Sequence, residues 1–409
     1  MSTVLAPITK EVLVWARKTS NREQAELADV AGVLLDRYLE WEAGTSQPTL
    51  RQVEQIANKV KIPTIVFFLE APPTEPKQLL DYRTVTNDGQ AGFSPELTVE
   101  IRKARYLQSR LTECAEDIVP GWRSVLPALQ LNDDPVAMAA EVRAMIGVSL
   151  DQQRGFKAEN RGLREWRKAL FNFGVLTFGF RIPRTEALGF SIWHDRFPLA
   201  AFNLEGYKAQ QVFTLFHELA HLALRQSVVS DLGEGSFDRL TTQVKQAEIF
   251  CNRFASAFLL PPNSTIVQDA IAGVPKDELT SIETIDKLAK RFRVSKYVVL
   301  HRLIESERIP KDSVSSVFSL WRKHDDEEER RREEKVKQRT ERDKQTGKTI
   351  AKSPAAESVL SRGESLAIRV HSATKNGQIH SSDAQDLLGL KDHSFESLEG
   401  VFERWRVTP

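Results

Sequence analysis

The chain has 409 residues, with 57 Lys and Arg against 56 Asp and Glu, 41% hydrophobic side chains and two cysteines. That length predicts two to four domains, and near-zero charge with ordinary apolar content excludes a disordered chain. Two cysteines exclude a disulfide framework and fit a reducing cytoplasm. With no apolar run of about 20 residues and no signal-peptide core near the N-terminus, a cytoplasmic protein with no membrane partner is expected.

Residues 1–75 read as short helices: Glu11 to Lys18, Arg22 to Val30, Leu34 to Trp41 and Leu50 to Val60. Asn21 and Thr49 are expected N-caps and Gly44 a C-terminal stop. Pro72, Pro73 and Pro76 mark the exit. Residues 76–150 form a helical connector, broken at Pro120-Gly121 and Pro135, to which no chemistry is assigned. Leu163 to Phe173 predicts another helix, and Gly174 to Phe180 and Leu188 to Trp193 predict strands. Phe197 to Asn203 predicts a third strand, which Pro198 demotes to a sheet edge. Such an edge is either a place for an extended peptide to add or an ordinary sheet border.

The run from Val212 to Leu224 is apolar apart from Thr214, His217, Glu218 and His221. A helix apolar on nearly all sides is buried, and polar side chains inside it need partners. Residues i and i+4 share a helix face, so His217 and His221 present two imidazoles to one point. This H-E-x-x-H spacing suits Zn²⁺: two neutral imidazoles, a further protein ligand, a water and Glu218 as base. The ion lowers the water's pKa from about 15.7 to about 7. Two buried histidines with ordinary hydrogen-bond partners are the bland alternative.

A hydrolytic zinc site normally has three protein ligands. Position 227 is Ser227, so the longer H-E-x-x-H-x-x-G-x-x-H spacing is not met. Glu248 is the better candidate, a lone acid among core-like residues in a second helix stopped by Pro261-Pro262. Its competing reading is an exposed acid in the helix's first turn, favoured there by the macrodipole. Asn252, one turn on, shares its face and is placed to steady the carboxylate or an imidazole. Cys251 points away from that face and reads as a small buried hydrophobe.

From Arg322 to Lys348 the chain is almost wholly charged with mixed signs. Residues 316–352 therefore read as an exposed charged helix or linker, and 353–409 as a small C-terminal helical module.

The stretches Phe213 to His221, Glu248 to Ala255 and Leu259-Leu260-Pro261 resemble the ImmA/IrrE family of bacterial and phage zinc metallopeptidases. The family has a hydrophobic H-E-L-x-H helix followed by E-x-x-A-N-x-F-A-x-x-L-L-x-P. Here Ala220 stands where glycine is usual and Cys251 where alanine is usual; both are small. The resemblance implies a zincin-like α+β peptidase domain at 151–315, one zinc per chain held by His217, His221 and Glu248, and Glu218 as general base. No other cofactor is implied. Upstream, Leu39 to Gly44, Gln47 to Leu50 and Val66 to Leu69 resemble the Xre-type helix-turn-helix domain that often precedes this peptidase. Asp81-Tyr82-Arg83 looks like the signature that follows it. Asn376 to Ile379 and Ala384 to Leu390 are similar to the tail of longer members.

The resemblance implies an intracellular endopeptidase that cleaves a regulatory protein partner, such as a repressor, antitoxin or stress regulator. The alternative is a DNA-binding regulator or antitoxin whose metallo-domain grips a partner, a toxin included, or senses a signal without cutting. In a helix-turn-helix reading the recognition helix runs from about Gly32 to Trp41, where only Arg37 is basic, against Asp36 and Glu40. Residues 1–70 hold eight basic and nine acidic side chains. Phosphate neutralisation dominates DNA affinity, so this domain alone is expected to bind DNA weakly, to need a dimer, or to dock on protein. No oxyanion-stabilising side chain is identified; His194 and Tyr207 lie near the strands in sequence, with a structural role expected for each.

Overall fold

The computed structural model describes residues 5–73, 79–82, 93–156, 159–230, 241–309 and 353–405, with Arg331, Glu334, Gln338 and Arg342 as isolated helical positions. Pro76, Arg83 and the rest of the charged run at 316–352 lie outside the described residues. No helix among the described residues is long and apolar enough to cross a membrane.

Four helices and a 3₁₀ turn make the N-terminal bundle: α1 (Lys10–Thr19), α2 (Gln24–Val30), α3 (Leu35–Ala43), α4 (Leu50–Val60) and Thr64–Phe68. Their apolar stripes close over Leu13, Leu27, Tyr38, Trp41, Ile56 and Phe67. Thr49 caps α4 reciprocally with Gln52, and Gly44 ends α3 at φ 76°. Asn21 is no N-cap. It takes a left-handed φ of 48° after α1, and Glu23 occupies the cap of α2. The bundle sits on α5 (Pro95–Ile118), where Arg102 donates to the Ser20 and Thr19 hydroxyls at 2.8 and 2.6 Å and to Val60 O at 3.2 Å. The bond to Val60 O satisfies a carbonyl at the open end of α4, and the other two tie the end of α1 to α5.

After α6 (Pro135–Ile146), α7 (Leu150–Arg154) and α8 (Glu159–Asn172) comes a mixed five-stranded sheet. Its strands are β1 (Leu80–Asp81), β2 (Leu176–Phe180), β3 (Gly189–Ile192), β4 (Leu199–Asn203) and β5 (Val228–Ser230), in the order β1-β5-β3-β4-β2. The strand expected at a sheet edge is an interior one: β4 lies between β3 and β2, antiparallel to one and parallel to the other. Pro198 costs it nothing because the residue precedes the strand and only its carbonyl is used, by Leu176 N–H at 2.8 Å.

The sheet also draws on chain outside 151–315. β1 comes from the connector, and the helices from Pro354–Arg362 to Leu398–Trp405 share one hydrophobic core with α5, β2 and β3. Ser361 donates to Gly179 O at 2.7 Å, covering the outer edge of β2. On the other face lie α9 (Lys208–Ala223) and α10 (Thr242–Leu259), backed by α11 (Thr265–Ala272), α12 (Ile282–Phe292) and α13 (Lys296–Glu305). Phe216 stacks on Phe258 at 4.1 Å and meets the edge of Trp166 at 4.9 Å, which locks α9 to α10.

Candidate metal centre

Every residue of α9 from Gln211 to Ala223 is buried, as an all-round apolar helix should be. The structure brings His217, His221 and Glu248 together, with ligand atoms within 4.8 Å of one another. The two Nε2 atoms are 3.1 Å apart. Glu248 Oε2 lies 3.3 Å from His217 Nε2, and Oε1 lies 3.2 Å from His221 Nε2. Glu248 is 2% exposed and sits in the second turn of α10, so the exposed first-turn reading of this acid falls.

Each imidazole is oriented from behind. His217 Nδ1 faces Asn252 Oδ1 at 3.0 Å, the role expected of that residue. His221 Nδ1 faces Gln226 Oε1 at 2.9 Å, a partner the sequence reading missed. An amide oxygen only accepts, so each Nδ1 carries the proton and each Nε2 turns toward the shared point. Gln226 reaches His221 because α9 ends in a Schellman turn: Arg225 N–H bonds Leu222 O and Gln226 N–H bonds His221 O, at 3.0 and 2.9 Å. Arg225 takes φ 59°, where glycine is usual, and its guanidinium lies 3.8 Å over the Trp193 ring. That contact helps hold the strained turn.

Glu218 faces the sheet beside this cluster. It approaches closely because Gly189 has no side chain: a Cβ there would lie 2.6 Å from Glu218 Oε1 and 2.5 Å from Thr214 Cγ2. A glycine inside a strand pattern is the signal that could have found this close approach. The hydroxyls of Ser191 and Ser230 lie near the carboxylate without closing a well-formed hydrogen bond; Ser191 donates to Gln226 O at 3.3 Å instead.

Burial pushes the Glu218 carboxyl up to about 8, with His221 opposing the rise and Glu248 adding to it. Burial penalises the Glu248 charge too, but the two imidazoles outweigh it and hold that carboxyl at about 2. Burial lowers His217. It also opposes charge on His221, yet Cys251 and Glu248 alongside raise that imidazole well above its ordinary value. The thiol of Cys251 therefore does not point clear of the site. It lies against His221, and burial pushes it up to about 11, so it is neutral.

The donor set fits a metal. Neither oxygen of Glu218 has a well-formed hydrogen-bond donor, and the Glu248 oxygens face the two imidazole Nε2 atoms, though both side chains are buried. Such groups are costly unless compensated, and one cation at the point shared by two imidazoles and a carboxylate compensates them. Two nitrogens and an oxygen are a zinc-type set.

Other expected residues lie elsewhere. His194 Nδ1 accepts from Arg196 N–H and Phe197 N–H, both at 3.1 Å, and so shapes a turn. Tyr207 caps the far end of α9 with its ring beneath Arg184. A further histidine, His301 on α13, meets the Tyr297 ring at a 51° tilt with centroids 4.4 Å apart.

A helix bearing paired histidines and a carboxylate, packed on a second helix bearing a third ligand type, defines a metallopeptidase-type domain. Residues 155–304 match the family model Peptidase M78, the IrrE N-terminal-like domain, which supports the ImmA/IrrE family for this part of the chain. No curated protein and no solved structure matches the chain.

Proposed function

We propose that this protein is a zinc-dependent endopeptidase that cleaves a regulatory protein partner. His217, His221 and Glu248 would hold one zinc ion, which supplies Lewis acidity to a water and to a peptide carbonyl. Glu218 takes the proton of the attacking water and returns it to the leaving amine. Asn252 and Gln226 keep the two imidazoles in the Nδ1–H tautomer. The observation that carries this reading is Glu218 itself, a buried carboxylate with no hydrogen-bond partner next to a complete three-ligand set. A structural or sensory zinc site has no use for it.

A second reading keeps the metal and drops proteolysis: the metallo-domain grips or senses a partner while a helix-turn-helix at the N-terminus addresses DNA or protein. Burial of the four side chains to between 0 and 2% exposure favours it. One experiment separates the two. The zinc-loaded protein is added to an extract of its host cell and new protein N-termini are mapped by mass spectrometry. A small set of new termini that vanish with a chelator supports the peptidase; an unchanged set of termini supports the second reading. His217→Ala, analysed for zinc in parallel, should fall from about one equivalent toward none.

A further inference from the structure

Tyr82 lies outside the matched family domain, which begins at residue 155, yet its ring packs on His221. The backbone is clamped on both sides of Asp81, Leu80 N–H donating to Ser227 O and Tyr82 N–H to Val229 O, each at 3.0 Å. This parallel pairing adds β1 to the free side of β5. It sets the Tyr82 ring edge-on to the His221 imidazole, centroids 5.6 Å apart and planes at 67°. Val228 and Ala247 pack around the ring, and it is 7% exposed.

His221 is oriented at Nδ1 by Gln226, which stands on a turn with a left-handed φ at Arg225, while its Nε2 faces His217 and Glu248 and Cys251 lies alongside. Rotation of the imidazole about the Cβ–Cγ axis is the freedom that would swing Nε2 off the shared point. An aromatic edge against the ring removes that freedom. The contact is contributed by chain that joins the N-terminal bundle to α5, and the bundle is itself tied to α5 through Arg102.

We propose that Tyr82 is a positioning residue of the metal centre: β1 holds its ring against His221 so that Nε2 stays aimed at the point shared with His217 and Glu248. Metal retention then depends on the connector as well as on the peptidase domain. This rests on the metal-centre reading above.

The test uses the full chain, loaded with zinc or cobalt(II), as wild type, Tyr82→Phe and Tyr82→Leu. Leucine keeps the buried bulk and removes the ring; phenylalanine keeps the ring. Three quantities are read: the rate at which a chelator strips zinc, the visible spectrum of the cobalt form, and the unfolding temperature of the metal-free protein. The leucine variant should lose zinc about 10–100-fold faster, the range for residues that orient ligands, with a shifted cobalt band. The phenylalanine variant should match wild type in both, and metal-free unfolding should be the same for all three. Wild-type zinc loss and an unchanged cobalt spectrum in Tyr82→Leu would overturn the proposal. So would equal acceleration in both variants, or a metal-free unfolding temperature that falls in step with zinc loss. A wild-type chain that takes up neither ion would refute the metal-centre reading, and this inference with it.

Discussion

In the α9–α10 pair the polar side chains of the cluster turn inward, whereas on α3 of the N-terminal bundle Asp36, Arg37 and Glu40 turn outward together with several leucines. His217, Glu218, His221, Glu248 and Asn252 are all buried. On α3 and the residue before it, Leu34, Leu35 and Leu39 are 81, 42 and 37% exposed, and the one arginine, Arg37, is paired with Glu40 at 2.6 Å. Buried polar groups without a purpose are costly, so the first region announces its chemistry. Exposed side chains cost little in either arrangement, and the second region does not announce its partner.

The largest effect expected from this contrast is a pH-dependent one. His301 is half-buried beside Tyr297 with its Nε2 shielded from solvent, and desolvation, aided by the neighbouring Arg302 charge, brings its pKa down to about 4. The unfolded chain takes up this proton near 6.5 and the folded chain only near 4. Folding stability should therefore fall as pH drops from 6.5 to 4, by up to about 3 kcal/mol from this group, and level off below. Denaturant titrations across that range, with His301→Phe as the comparison, should show that variant lacking this part of the slope. An identical slope in both proteins would mean that the His301 imidazole is not shielded from solvent as described.

A smaller effect is expected at Gly189. A methyl there meets Thr214 Cγ2, Glu218 Oε1 and the backbone oxygen of Ala201 at 2.5, 2.6 and 2.9 Å, so Gly189→Ala should cost about 1–3 kcal/mol by overpacking. Leu34→Ala, on the exposed side of the comparison, should change stability by less than about 0.5 kcal/mol. Equal costs in chemical denaturation would erase the distinction between the two regions. The smallest signal is expected from DNA. Residues 1–75 should bind operator DNA from their own promoter poorly at physiological salt, given the acidic balance and the paired Arg37. A titration showing a Kd near 10⁻⁸ M or tighter would restore the repressor reading. Binding by the full-length protein alone would point to a dimer with paired half-sites.

The chain announced the paired helices because their signals are long and regular. Thirteen buried residues of α9 carry two histidines at i, i+4, and α10 is closed by a double proline. Thr49 and Gly44 likewise acted as their residue types dictate. What stayed hidden depended on geometry beyond a single element. β5 and β1 have three and two residues, too few for an alternating pattern. Gln226 reaches His221 only through the turn after α9, which forms around Arg225 instead of the usual glycine. Cys251 was placed by helical angle alone, which cannot see that α9 brings His221 across to it. The position of β4 inside the sheet depends on pairing order, which no local pattern records.

In the proposed reaction a metal ion and a carboxylate base divide the work in one buried cluster. Glu218→Gln isolates the base, because the amide cannot accept the water's proton while His217, His221 and Glu248 are untouched. The measurement is zinc content alongside the appearance of new protein N-termini in host-cell extract, for wild type and variant together. The predicted result is a variant with close to one equivalent of zinc whose cleavage falls by about 10²–10⁴. Undiminished cleavage by zinc-loaded Glu218→Gln would contradict the account.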